Sequence, residues 1–112
     1  MQVNVTFKKL DSSDHLKSYV AEKLDKFDKL FDSPAEANVT LSVEKFRNIA
    51  EINLTGDRFT VTGKEETEDM YSAIDLTLDK VEKQIKKNKE KIRDRRAGSR
   101  KTKNRPDPLE GM

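Results

Sequence analysis

Ala37-Asn38-Val39-Thr40-Leu41-Ser42-Val43-Glu44 and Ala50-Glu51-Ile52-Asn53-Leu54-Thr55 are the two segments that decide the fold. In both, apolar residues alternate with Asn, Thr, Ser or Glu, the period of two that marks a strand with one buried face. Phe59 and Val61 alternate with Thr60 and Thr62 in the same way. Gly56-Asp57 is expected to turn the last hairpin, because glycine at the first central position tolerates a positive φ. Arg47-Asn48 is expected to turn the hairpin before it. Since each strand has a single apolar face, the sheet is expected to be covered on one side only.

Two helical patterns flank these strands and supply the cover. Leu16, Val20, Leu24, Phe27 and Phe31 recur at steps of four and three, widened by Tyr19 and Leu30, which predicts an amphipathic helix over about 14–31. Ser12 or Ser13 caps its start, and Pro34 forbids helix at the residue before it. Met70, Ile74, Leu78, Val81, Ile85 and Ile92, with Ala73 beside them, predict a second helix over about 68–96, capped by Thr67. At 1.5 Å per residue that helix is roughly 43 Å long, whereas a strand of eight residues spans about 27 Å. Its last turns are therefore expected to overhang the sheet. Upstream, Val3, Val5 and Phe7 alternate with Asn4 and Thr6 as a further strand.

The expected order is β-α-β-β-β-α, an α+β two-layer domain of about residues 1–96. Its four-stranded mixed sheet carries both helices on one face. The first two strands pair in parallel through a right-handed helical crossover, and the rest form an antiparallel meander. The outline resembles a double-stranded RNA-binding domain. Residues 97–112 are expected to be a disordered basic tail, because Ser99–Met112 holds one leucine, two prolines and no periodicity.

Composition narrows the function. Apolar residues make up 33% of the chain and charged residues 39%, so a small core lies beneath a very polar surface. The sequence has neither a signal-peptide pattern nor a run of about 20 apolar residues, and it reads as unexported and cytoplasmic. The absence of cysteine removes disulfides and thiolate metal sites. The net charge of +2 hides a strong asymmetry: residues 1–78 balance to −5, 79–105 to +9 and the last seven to −2. Segregation of this kind creates a local positive field and points to a polyanionic partner.

Catalytic constellations are nearly absent. His15 is the single histidine and reads as a surface or capping residue, with no second imidazole to complete a metal set. Glu65-Glu66 and Glu68-Asp69 are explained by the positive end of the following helix. Gly56 and Gly63 have no phosphate-loop spacing around them. Neither a catalytic site, a metal nor a cofactor is expected.

The lysines carry the signal. On a helical wheel Lys80, Lys83, Lys87 and Lys91 form one stripe away from the core of the second helix, with Lys86 and Arg93 on a flank. Glu90 and Asp94 interrupt that face. A helix stabilised merely by ion pairs would need acids to match, whereas bases outnumber acids about three to one in this region. The first helix adds Lys17, Lys23, Lys26 and Lys29, interleaved with Glu22, Asp25 and Asp28; Lys23 falls in the apolar arc, where its methylenes can cover core. Lys45 and Arg47 near a hairpin tip extend the surface. Tyr19, Phe27, Phe31 and Phe59 read as core, so recognition of RNA backbone and shape is expected rather than base stacking.

Leu41-Ser42-Val43-Glu44-Lys45, Glu68-Asp69-Met70-Tyr71-Ser72-Ala73-Ile74-Asp75 and Lys80-Val81-Glu82-Lys83-Gln84-Ile85-Lys86-Lys87 resemble the ribosome hibernation promoting factor family, also called ribosome-associated translation inhibitors. The similarity spans about residues 1–96 and is most specific from Asp69 to Asp75. It implies the same β-α-β-β-β-α order. It also implies binding to ribosomal RNA of the small subunit, in the channel between head and body, where messenger RNA and the anticodon stems of transfer RNA lie. Occupancy there would block translation and keep ribosomes dormant, in stress or stationary phase. By matching positions, the RNA-facing bases are Lys23 and Lys26 in the first helix, and Lys80, Lys83, Lys86, Lys87 and Lys91 in the second. The length matches a short member, expected to be monomeric off the ribosome, for which promotion of ribosome dimers is an open alternative.

Three other readings compete. A double-stranded RNA-binding module independent of the ribosome presents lysines at the start of its second helix, where this chain has Glu65-Glu66-Thr67-Glu68-Asp69. A protein-interaction modulator of a transcription factor would need an exposed apolar patch, which the strand and helix patterns do not supply. An enzyme is the weakest reading.

Overall fold

The computed structural model describes residues 1–97, with side chains through Lys91. Its elements are β1 (Gln2–Lys8), α1 (Asp14–Asp25), a single 3-10 turn (Asp28–Leu30), β2 (Glu36–Glu44), β3 (Arg47–Gly56), β4 (Phe59–Thr67) and α2 (Met70–Ala97). The sheet order is β1-β2-β3-β4, with β1 parallel to β2 and the remaining pairs antiparallel. The α+β architecture expected from the periodicities is the observed one. The tail beyond Ala97 lies outside the described residues.

The core forms between the sheet and the two helices. Ala37, Val39 and Leu41 of β2, Ala50, Ile52 and Leu54 of β3 and Val61 of β4 meet Val20 and Leu24 of α1 and Ile74, Leu78, Val81 and Ile85 of α2. On the opposite face Asn4, Asn38, Asn53 and Thr62 stand in one row across all four strands. Asn4 donates to Asn38 at 3.2 Å and Thr62 to Asn53 at 2.8 Å. Ile49, of the same outward parity, is nonetheless buried. Ile92 was expected in the core stripe, but its side chain lies outside those described.

Several boundaries differ from the sequence reading, each for a local reason. The first helix ends at Asp25 rather than near Phe31. There Lys26 N–H bonds Lys23 O and Phe27 N–H bonds Leu24 O, a tightened three-residue spacing that leads into the 3-10 turn. Phe27 and Phe31 remain buried. Ser13 is the cap, its hydroxyl accepting from Leu16 N–H at 3.1 Å. β4 runs on to Thr67, so Glu65 and Glu66 belong to a strand and not to a helix approach. The cap of α2 is consequently Asp69, which accepts from Ser72 N–H at 2.9 Å, and not Thr67.

Both hairpins turn elsewhere than expected. Glu44 pairs with Arg47, which leaves Lys45-Phe46 as the turn, with Lys45 in the left-handed region at φ 56. Gly56 pairs with Phe59, so Asp57-Arg58 turns the next hairpin with φ values of 48 and 72, the pattern of a type I′ turn. Gly56 is needed for space rather than for backbone freedom: a Cβ there would come within 2.7 Å of the Phe31 ring. At the free edge of β4 the Gln84 side chain accepts from Thr62 N–H at 3.3 Å and donates to Thr62 O at 2.8 Å. It occupies backbone groups that would otherwise template another strand.

Candidate nucleic-acid interface

The two faces of α2 are sharply divided. Met70, Ala73, Ile74, Thr77, Leu78, Val81 and Ile85 are buried, while Asp79, Lys80, Lys83, Lys86, Lys87, Glu90 and Lys91 are exposed. The helix lies close on the sheet because Gly63 offers no side chain; a Cβ there would meet Val81 Cγ2 at 3.1 Å and Thr77 O at 3.2 Å. The Thr77 hydroxyl, fully buried, faces Ala73 O at 2.7 Å and Ala50 O at 3.2 Å. The inward face of the helix is thereby fixed, and so is the direction in which the lysines project.

Ion pairing sorts those lysines. Lys80 pairs with Glu65, whose place in β4 puts it on the helix side of the sheet. Lys86 meets Glu82 one turn earlier at 3.2 Å. Lys89, absent from the expected stripe, is held by Asp57 at 2.9 Å and Asp32 at 3.2 Å. Lys83 and Lys87 have no ion-pair partner among the described residues. They are exposed cations on the outward face of the helix, not engaged in the contacts that hold Lys80, Lys86 and Lys89.

Asp57 shows why Lys89 differs from its neighbours. Burial alone would raise its carboxyl, but hydrogen bonds from Asp32 N–H, the Ser33 hydroxyl, the Lys89 ammonium and Ser33 N–H outweigh that effect. They hold it well below the usual carboxylate range. Lys89 is raised in turn, chiefly by its hydrogen bond to Asp57, against burial and with help from Asp32.

Lysines of both helices meet in a groove of about 620 Å³ between α1 and α2. Lys23, Lys26, Lys29 and Lys86 line it over an apolar floor of Phe27, Leu30 and Leu78, and Asp75, Asp79 and Glu82 face them. The groove therefore brings together three of the expected site residues, Lys23, Lys26 and Lys86, in a field of mixed sign. Lys80, Lys83, Lys87 and Lys91 do not line it.

Tyr19 was expected in the core, yet it stands half-buried between the helices. Its hydroxyl donates to Asp75 at 2.7 Å, its ring meets Tyr71 edge-on at 4.9 Å, and Lys23 Nζ lies 5.3 Å above it. The Asp75 hydrogen bond, with burial and the carboxylate charge behind it, pushes its pKa up to about 12. Phe46, overlooked in the sequence, is 90% exposed at the tip of the β2–β3 hairpin. The signal was there in Lys45-Phe46-Arg47, an aromatic between two bases outside any alternation. His15 is exposed, with Tyr71 edge-on at 6.2 Å. Among the described residues no group of three His, Cys, Asp or Glu is placed to hold a metal, and no helix is long and apolar enough to cross a membrane.

Comparison with known proteins places this geometry. Residues 3–93 match the family described as Sigma 54 modulation protein / S30EA ribosomal protein. The chain is 40% identical over 100 residues to the ribosome hibernation promoting factor of Azotobacter vinelandii, covering 89% of this chain and 94% of that one. It is 31% identical over 93 residues to the factor of the same name from Escherichia coli strain K12, covering 83% and 98%. The crystal structure of the Thermus thermophilus Protein Y N-terminal domain superposes with a TM-score of 0.74 at 32% identity, over 78% of this chain and 98% of that one. A ribosomal subunit interface protein from Coxiella burnetii shares the fold, with a TM-score of 0.70 at 23% identity over 80% and 99%. With its matching profile, relatives and fold, this chain belongs to the Sigma 54 modulation protein / S30EA ribosomal protein family, the family of the ribosome hibernation promoting factors.

Proposed function

We propose that this protein binds ribosomal RNA of the small subunit in the channel between head and body, excludes messenger RNA and transfer RNA from it, and so keeps ribosomes dormant. The folded unit that does this is residues 1–96. The observation that carries the reading is the pair Lys83 and Lys87, exposed and without an ion-pair partner among the described residues, on a helix whose opposite face is locked into the core. Lys91 continues the line one turn on, and Lys23, Lys26 and Lys86 border the neighbouring groove. Lys80, exposed although its partner Glu65 is half-buried, contributes by turning its ammonium from that carboxylate to phosphate. The names of the relatives support the ribosome as partner, and this family is not one of known enzymes.

Sedimentation through sucrose with purified small subunits tests the proposal. The protein should travel with the subunits at low salt. If about six phosphates are neutralised, affinity should fall by orders of magnitude at moderate salt. Binding that survives high salt unchanged would rule out the electrostatic account. A cell-free translation reaction should be inhibited over the same concentration range in which the subunits are bound.

A further inference from the structure

The β2–β3 hairpin exposes an aromatic side chain that the fold does not use. Phe46 is 90% exposed, and Leu76 at 47% is the other exposed large apolar side chain among the described residues. Two-residue turns of this kind favour glycine or asparagine at the left-handed position, yet here Lys45 occupies it at φ 56. The ring beside it buries nothing. A position that departs from local preference with no gain in packing points to a role outside folding.

Lys45 and Arg47 flank the ring along the chain and both are exposed. Arg47 is only loosely engaged, 4.0 Å from Glu66. Glu44, paired across the ladder with Arg47, offsets one of the two cations, so the Coulombic attraction of the tip is modest. What it offers is a flat apolar face between two cations. That is the combination by which proteins stack an unpaired nucleobase and neutralise the phosphates on either side. The tip is rigidly placed, because Asn48 pairs with Thr67 and donates to Glu68 O at 3.1 Å at the approach to α2. From Met70 to Lys83 along α2 is about 20 Å at 1.5 Å per residue, so tip and lysine stripe are separate points on one body.

We propose that Phe46 is a stacking finger for an unpaired base of the RNA that the helical face grips, with Lys45 and Arg47 on the phosphates beside that base. This rests on the RNA-binding reading above and adds to it a contact whose energy is stacking rather than charge.

The two kinds of contact separate in a salt series with purified small subunits. Phe46→Ala should lower affinity by between about fivefold and a hundredfold and leave the slope of log affinity against log salt unchanged. Lys83→Glu should make that slope shallower. Phe46→Trp should bind like the unaltered chain, and its indole, alone in a protein without tryptophan, should be quenched on binding. Phe46→Leu, apolar but unable to stack, should bind as weakly as Phe46→Ala. Ultraviolet irradiation of the Phe46→Trp complex should join the substituted position to ribosomal RNA. Unchanged affinity in Phe46→Ala, full binding by Phe46→Leu, or joining to a ribosomal protein overturns the finger while leaving the helical face intact. An unaltered chain that fails to bind subunits overturns both readings.

Discussion

Lys89 Nζ lies 2.9 Å from the carboxylate of Asp57, thirty-two residues away in sequence. The same carboxylate accepts the backbone N–H groups of Asp32 at 3.0 Å and Ser33 at 3.1 Å. One half-buried acid thereby joins the β3–β4 turn, the loop before β2 and the far half of α2. A lysine in the midst of a basic helix is thus committed to the fold, while Lys83 and Lys87 remain available to a partner.

Asp57→Asn should destabilise the domain by about 1–3 kcal/mol at neutral pH, the range for a hydrogen-bonded group that loses its charge. The folded pKa of Asp57 lies below its unfolded value. Its contribution is therefore complete above the unfolded value, near 3.9, and is lost as pH falls through that value towards the folded one. Urea midpoints should show the gap between variant and unaltered chain narrowing below about pH 4. A gap that stays constant on acidification would mean that the charge of Asp57 contributes nothing.

At the alkaline end the sign reverses. Tyr19 is raised to about 12, so its contribution is complete below its unfolded value, about 10, and is lost as pH rises through about 12. Tyr19→Phe should remove a tyrosinate step near pH 12 from an absorbance titration. It should also lessen the alkaline loss of stability without abolishing it, because Lys89 is raised as well. An unchanged titration curve would contradict the Tyr19–Asp75 bond.

Lys83→Glu with Lys87→Glu should abolish ribosome binding and leave circular dichroism and melting unaltered, since both side chains are exposed. Val81→Asp or Ile85→Asp, each fully buried, should instead unfold the domain, because burying an unpaired carboxylate costs several kcal/mol. Loss of helicity in the lysine pair would mean that these residues serve the fold.

Gly56→Ala should cost about 1–3 kcal/mol through overpacking, because its Cβ would press on the Phe31 ring and on Ala35. The stacked rings of Phe31 and Phe59, with centroids 5.7 Å apart, leave Phe31 little room to withdraw. A thermal melt reads the effect, and an unchanged midpoint would show that the ring yields freely.

Truncation after Ala97 should leave the melting temperature nearly unchanged and weaken ribosome binding modestly. The removed segment has one leucine, Leu109, to set against its ordering entropy. Arg100, Lys101, Lys103 and Arg105 add non-specific attraction to RNA, so inhibition in a cell-free translation assay should persist at somewhat higher concentration. A truncated protein that folds but no longer inhibits at any concentration would assign the blocking step to the tail.

Alternation in Ala37–Val43 and Ala50–Leu54, together with three- and four-residue spacing in Leu16–Leu24 and Met70–Ile85, was enough to settle element types, order and the buried faces. Those periods are properties of the backbone itself, so a residue's side of a strand or helix follows from counting. Turn positions were less legible. Asp57, Arg58 and Lys45 take left-handed conformations that glycine would favour more strongly, and strand pairing on either side dictates where each turn must fall.

The basic composition of the second helix, and the side of it that faces away from the core, were likewise legible in the sequence alone. Which lysines stay available was not. Lys80 is matched by Glu65, Lys86 by Glu82 and Lys89 by Asp57, and two of those three acids come from β4 or its turn. Phe46 became an exposed tip only once Glu44 was paired with Arg47. Hydrophobic period is read residue by residue along one element, whereas a projecting tip, or an ion pair such as Lys80–Glu65 or Lys89–Asp57, depends on which elements the fold sets side by side. Tertiary structure alone decides that, because charges interact through space and not along the chain.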